Sequence, residues 1–231
     1  MTLENKYNRG THGDSSLMLS TVVLSNENQT CRGWEAHTST DGGGCHDMIE
    51  WSKKGGYQGS TISFYDYNNG KVYEPFQKQR NVLYGTPIYL KKSFWFLQGD
   101  YNSGKITLFK YYPDQIPEMI TKLNIEDVDL YNLRIIGEDV YIVSEDDEFV
   151  SYYPESFRFS KGVNESVSMI ADQKVYLSAW VEEGWDDEND CETEEYNYYE
   201  KVVERDFKGN LLSEKLGSLQ QHSDFDTNWQ D

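Results

Sequence analysis

From about residue 60 onward, apolar and polar positions alternate with the period of two that belongs to β-strands, in short runs punctuated by Gly, Asn, Asp and Pro. Residues 62–67 (Ile-Ser-Phe-Tyr-Asp-Tyr) and 71–76 (Lys-Val-Tyr-Glu-Pro-Phe) flank Asn68-Asn69-Gly70. Asn-Gly accepts the positive φ that matches a tight turn to strand twist, so this stretch predicts a β-hairpin. Residues 93–97 and 105–112 flank a turn rich in Gly, Asp and Asn at 99–104 and predict a second. Residues 139–143 and 149–153 flank the all-acid turn Glu145-Asp146-Asp147-Glu148, a third. Residues 174–180 and 199–207 predict a fourth, enclosing a long acidic insertion.

An aromatic residue followed by a turn recurs at the end of one strand in each pair. Tyr67, Tyr112, Tyr153 and Phe207 stand at spacings of 45, 41 and 54, the last falling to 35 when the 19 residues of 182–200 are set aside as an insertion. Four units of similar length follow, at 31–78, 79–128, 129–164 and 165–217. A four-stranded unit of about 40 to 45 residues is the signature of a propeller blade. In this respect the chain resembles β-propeller repeat proteins of the generic kind, without the Gly-His and Trp-Asp dipeptides of WD40 repeats or the double glycine of kelch repeats. The resemblance implies an all-β fold, a small β-propeller-like array of four to five antiparallel blades, with an antiparallel β-sandwich as the alternative. The expected organisation is one domain over residues 1–231, with a flexible N-terminal tail at 1–16, an acidic hairpin insertion at 182–200 and a C-terminal tail at 218–231. That tail is expected to be available to close the ring with a strand at 17–25.

Composition narrows the partners. The chain of 231 residues carries 40 Asp and Glu against 21 Lys and Arg, a formal net charge of -19. A field of that sign repels nucleic acid and anionic lipid, so neither is an expected partner. No apolar run approaches the ~20 residues of a membrane-spanning helix. Aromatics make up 15% of the chain, within a hydrophobic class of 37%, so the core is expected to be built heavily from rings. The first twenty residues hold Glu4, Lys6, Arg9 and Asp14 where an export signal needs an apolar stretch. Three irregularly spaced cysteines do not form a disulfide framework, and a reduced cytoplasmic setting is the expectation.

Two stretches concentrate chemistry. In residues 31–47, Cys31, His37, Cys45 and His46 supply donor types that zinc prefers, but adjacent Cys45 and His46 diverge in an extended chain and no Cys-x-x-Cys anchors a site. Neither a metal nor any other cofactor is expected. A Cys-His nucleophile oriented by Asp41 or Asp47 has the same ingredients without a motif around it. The enzymatic alternative is therefore a hydrolase or metal-dependent enzyme with a central-channel site near His37 and Asp47. Residues 182–200 carry ten acids, no bases, and the aromatics Trp185, Tyr196, Tyr198 and Tyr199. An EF-hand is rejected, because the sixth position counted from Asp186 is Cys191 and the twelfth is Asn197. The leading expectation is a non-enzymatic binding module that recognises a basic protein or peptide, with Trp185, Asp186, Asp187, Glu188, Asp190, Glu194, Glu195 and Tyr196 as binding residues.

Overall fold

The alternating pattern folds into four antiparallel meander sheets that follow one another along the chain. The computed structural model describes residues 20–24, 34–39, 47–137, 139–186, 188–189, 191–221 and 227–229. The first sheet runs β1 (Ser20–Leu24), β2 (Trp34–Ser39), β3 (Thr61–Asp66) and β4 (Lys71–Tyr73). The second joins β5 (Val82–Tyr84), β7 (Ser93–Asp100), β8 (Lys105–Tyr111) and β9 (Glu118–Asn124), with β6 (Ile88–Leu90) also paired to β7. The third is β10 (Arg134–Ile136), β11 (Tyr141–Glu145), β12 (Glu148–Tyr153) and β13 (Phe157–Ser160). The fourth is β14 (Glu165–Ala171), β15 (Lys174–Asp186), β16 (Cys191–Arg205) and β17 (Leu211–Leu216). The fold is all-β apart from one α-helix and a short 3-10 turn among the described residues, and no helix is long and apolar enough to cross a membrane.

Turn chemistry sets the hairpins. Asp66 accepts from the Asn68 amide at 2.9 Å before Gly70 at φ 72°, and Asp100 accepts from the Asn102 amide at 3.0 Å before Gly104 at φ 67°. The same Asp-aromatic-Asn-x-Gly pentapeptide thus closes two hairpins, because the aspartate caps the first turn amide and glycine takes the left-handed position. Partial burial pushes the Asp100 carboxyl up, but the Ser103 and Asn102 donors outweigh it and hold the group below its ordinary range. Pro87 breaks the second sheet's first strand into β5 and β6, since it offers no amide to the ladder.

The apolar faces meet between consecutive sheets. Ala36, Ile62 and Phe64 pack against Tyr84, Phe94, Phe96 and Tyr111 across the first and second sheets. Leu90, Leu97 and Leu108 meet Leu130, Ile135 and Ile142 across the second and third. Val143, Phe149 and Phe159 meet Val167, Leu177 and Val203 across the third and fourth. Neighbouring Ile142 and Val143, both fully buried, serve opposite faces of the third sheet, and β11 is buried along its whole length.

The strand at Ser20–Leu24 pairs with β2, while β18 (Leu219–Gln221) and β19 (Thr227–Trp229) pair with each other. Among the described residues the two termini therefore build no composite sheet. The stretch at 31–47 contains β2 and leads into α1 (Asp47–Lys54). This helix places Asp47 and Glu50 in its first turn and Lys53 and Lys54 in its last, complementing the helix dipole, and stops at Gly55-Gly56. Its buried Met48 packs with Tyr57 and Leu83, and Trp51 and Tyr101 close over them.

Candidate binding surface

The acidic stretch continues the fourth sheet outward. β15 and β16 stay in register from Val175 opposite Arg205 to Glu183 opposite Asn197, well past the point where β14 and β17 stop, and form a two-stranded arm. A bulge follows Glu183. Gly184 sits there at φ 72°, and a Cβ on it would lie 2.6 Å from the Glu195 carbonyl, so only glycine fits. Thr193 secures the bulge by donating its hydroxyl to the Gly184 carbonyl at 2.7 Å. At the tip, Asp186 accepts from Asn189 Nδ2 at 2.8 Å and from the amides of Glu188 and Asn189. These bonds, the Asn189 side chain first, hold its carboxyl below the ordinary range.

Strand alternation sorts the arm into two faces. Trp180, Glu182, Tyr196, Tyr198 and Glu200 share one, and the bulge rotates Trp185 onto it, where its ring meets the Tyr196 ring edge-on at 6.0 Å. Trp180 is 44% exposed, Trp185 39% and Tyr198 52%. Val181, Glu183, Tyr199 and Lys201 share the other face. Of the residues expected from sequence to bind, Trp185, Asp186, Glu188, Glu194, Glu195 and Tyr196 lie in the outer half of this arm, and Asp187 and Asp190 lie outside the described residues. The expectation missed Trp180, Tyr198 and Glu200, which belong to the same face nearer the sheet. The two-residue spacings of Trp180 and Glu182 and of Tyr196 and Tyr198 are the signal that would have found them.

Tyr196 donates its phenol to Glu182 at 2.6 Å, and that bond, ahead of burial and the nearby carboxylate charge, pushes its pKa up to about 12. The contribution to the arm is complete below the unfolded value near 10 and is lost as pH rises from there through about 12. In an ultraviolet titration Tyr196→Phe should remove one of the most alkaline tyrosine steps, and Glu182→Gln should return that step towards 10. An unchanged titration in both variants would mean that the bond does not form in solution.

Two clefts share the corner at Val163, and the smaller reaches the base of the arm. The smaller, about 210 Å³, is bounded by Trp180, Tyr198, Glu200, Val163 and Ser166. The larger, about 1050 Å³, lies between the third and fourth sheets and is lined by Arg134, Glu145, Asp146, Lys161 and Glu165, the last shared with the smaller cleft. Arg134, Glu145, Lys161 and Glu165 each have a charged partner. Arg134 Nη2 donates to Glu145 Oε2 at 2.6 Å and to the Val167 carbonyl at 2.9 Å, the Val167 amide donates to Glu145 Oε1 at 3.0 Å, and Lys161 Nζ stands 3.6 Å from that oxygen. Glu165 accepts from Arg205 at 2.7 Å and from the Gly162 amide at 2.8 Å. This arrangement clamps two sheets together.

His37 is half-buried in the middle of β2, and Asp47 is exposed at the start of α1. Neither lines these clefts. Cys31, Cys45 and His46 lie outside the described residues. Among the described residues no three His, Cys, Asp or Glu side chains gather as a bound metal requires. Comparison with known proteins finds no family model, no curated protein and no solved structure that matches this chain.

Proposed function

We propose that this protein is a non-enzymatic interaction module that captures a basic protein or peptide on its acidic, aromatic arm. The observation that carries the reading is the pairing of charge and rings on one ordered element. Residues 182–200 hold -10 of the net -19, and the arm that contains them keeps Trp180, Trp185 and Tyr198 partly exposed on a single face. Carboxylates accelerate and orient the encounter with a cationic partner, and rings on a rigid strand pair supply area that can be desolvated at small entropic cost. The four sheets, with apolar faces meeting in chain order, are proposed to form a propeller-like array from which the arm of the fourth sheet projects.

The reading is tested by shortening the arm. Glu182 and Tyr198 face each other across the ladder, so replacing residues 183–197 with Asn-Gly joins them by a turn that suits the strand twist. The shortened protein should keep the stability of the parent and bind a labelled Arg-rich peptide at low salt at least tenfold more weakly, with a shallower dependence on salt. Unchanged affinity would overturn the proposal.

A further inference from the structure

We infer that the small cleft at the base of the arm is a seat for an arginine side chain of the basic partner. This rests on the proposed function and names the group that the surface takes. Trp180 faces Glu200 across the ladder and Glu182 faces Tyr198, so one face presents two rings and two carboxylates at alternate corners of a square. The cleft of about 210 Å³ adjoins this square, with Trp180, Tyr198 and Glu200 on one side and the Val163 corner on the other. Val163 is 99% exposed, an apolar side chain with no cover from its own chain. The wall is fixed before any ligand arrives. The Trp180 amide donates to the Asn164 carbonyl at 3.1 Å, and Asn164 Nδ2 donates back to the Trp180 carbonyl.

The opposite face of the arm shows what this pattern holds. There Tyr199 donates its phenol to Glu183 at 2.9 Å, and Lys201 Nζ lies over the Tyr199 ring, 5.7 Å from its centroid. The chain supplies its own cation to that ring, and the same Lys201 pairs with the Glu214 carboxylate of β17 at 3.6 Å. On the cleft face Tyr196 makes the equivalent bond to Glu182, yet among the described residues no lysine or arginine lies within ion-pair distance of Glu182 or Glu200. The missing partner is a cation from outside. A guanidinium fits better than an ammonium, because its plane can lie on a ring while its edge donates to a carboxylate at a neighbouring corner. Its aliphatic stem would lie along Val163.

The test uses the full chain with a short labelled peptide of alternating Arg and Gly and with its Lys counterpart, followed by anisotropy and tryptophan fluorescence. Trp180→Ala should weaken the Arg peptide about tenfold and the Lys peptide much less, Trp180→Phe should restore most of the loss, and Glu200→Gln should weaken both. Trp180 is partly exposed and its replacement should leave thermal stability nearly unchanged, which separates lost binding from lost folding. If shortening the arm abolishes binding while Trp180→Ala does not, the arginine seat is wrong and the binding arm stands. Equal affinity for the Arg and Lys peptides, with equal sensitivity to Trp180→Ala, would overturn the preference for a guanidinium. If the parent binds neither peptide at low salt, both proposals fall.

Discussion

Replacing Phe64 with alanine should cost about 3–5 kcal/mol of folding stability, the largest loss expected from any single truncation in this chain. Phe64 is fully buried at the junction of the first two sheets, with its ring 4.7 Å from that of Phe94, 4.9 Å from Tyr111 and 5.9 Å from Phe96. The removed ring leaves a cavity whose walls belong to two different sheets. The backbones of β3, β7 and β8 are held by their own ladders and cannot close on it. Urea denaturation should show a lowered midpoint, and the melting temperature should fall by about 10 °C for a chain of this size. Val163→Ala, at a fully exposed position, is the control and should change neither. A loss below about 1 kcal/mol for Phe64→Ala would mean that the first two sheets do not pack as described.

The second large effect is expected at Glu145, whose side chain is only 8% exposed. Glu145→Ala strips the Val167 amide of its acceptor and leaves Arg134 and Lys161 facing each other's charge between the third and fourth sheets. An uncompensated buried charge typically costs about 3–5 kcal/mol, and the lower end applies because a third of the Arg134 side chain remains in water. Adding Arg134→Met to Glu145→Ala should recover about 1–2 kcal/mol, since the second change removes the orphaned cation. Additive losses in the two variants would show that the pair is not coupled. The same experiment separates a structural clamp from a binding site. Peptide affinity measured on the folded fraction should not move, because no residue of the arm lines the cleft that holds Glu145.

The hairpins were legible because their signals are local. Asn68-Asn69-Gly70 and the matching turn before Gly104 state a backbone conformation that few other residues adopt, and the alternation on either side sets which side chains point inward. The helix at Asp47–Lys54 was not legible. Its eight residues bury only Met48 fully, too few apolar positions for a periodic pattern to rise above the polar background. The arm was half legible. Its acidity and its aromatics stand out in composition, but whether they lie on a loop or on a continued strand pair depends on the ladder between β15 and β16 and on the bulge at Gly184, both of which are contacts between residues distant in sequence. The clamp around Glu145 was hidden for the same reason. Glu145 reads as the first acid of a turn, and only packing against β14 brings its carboxylate to the Val167 amide.

By itself, then, the sequence determined the all-β character, the main hairpins and the acidic, ring-rich stretch, because turn conformation, strand alternation and charge density are properties of neighbouring residues. Tertiary structure decided the rest. It put Ser20–Leu24 beside β2, brought the Glu145 carboxylate to Arg134, Lys161 and the Val167 amide, and turned Trp180, Tyr196, Tyr198 and Trp185 to a common face. Those outcomes depend on which strands pair and in what register, and register is a free-energy minimum of the whole sheet rather than of any segment within it.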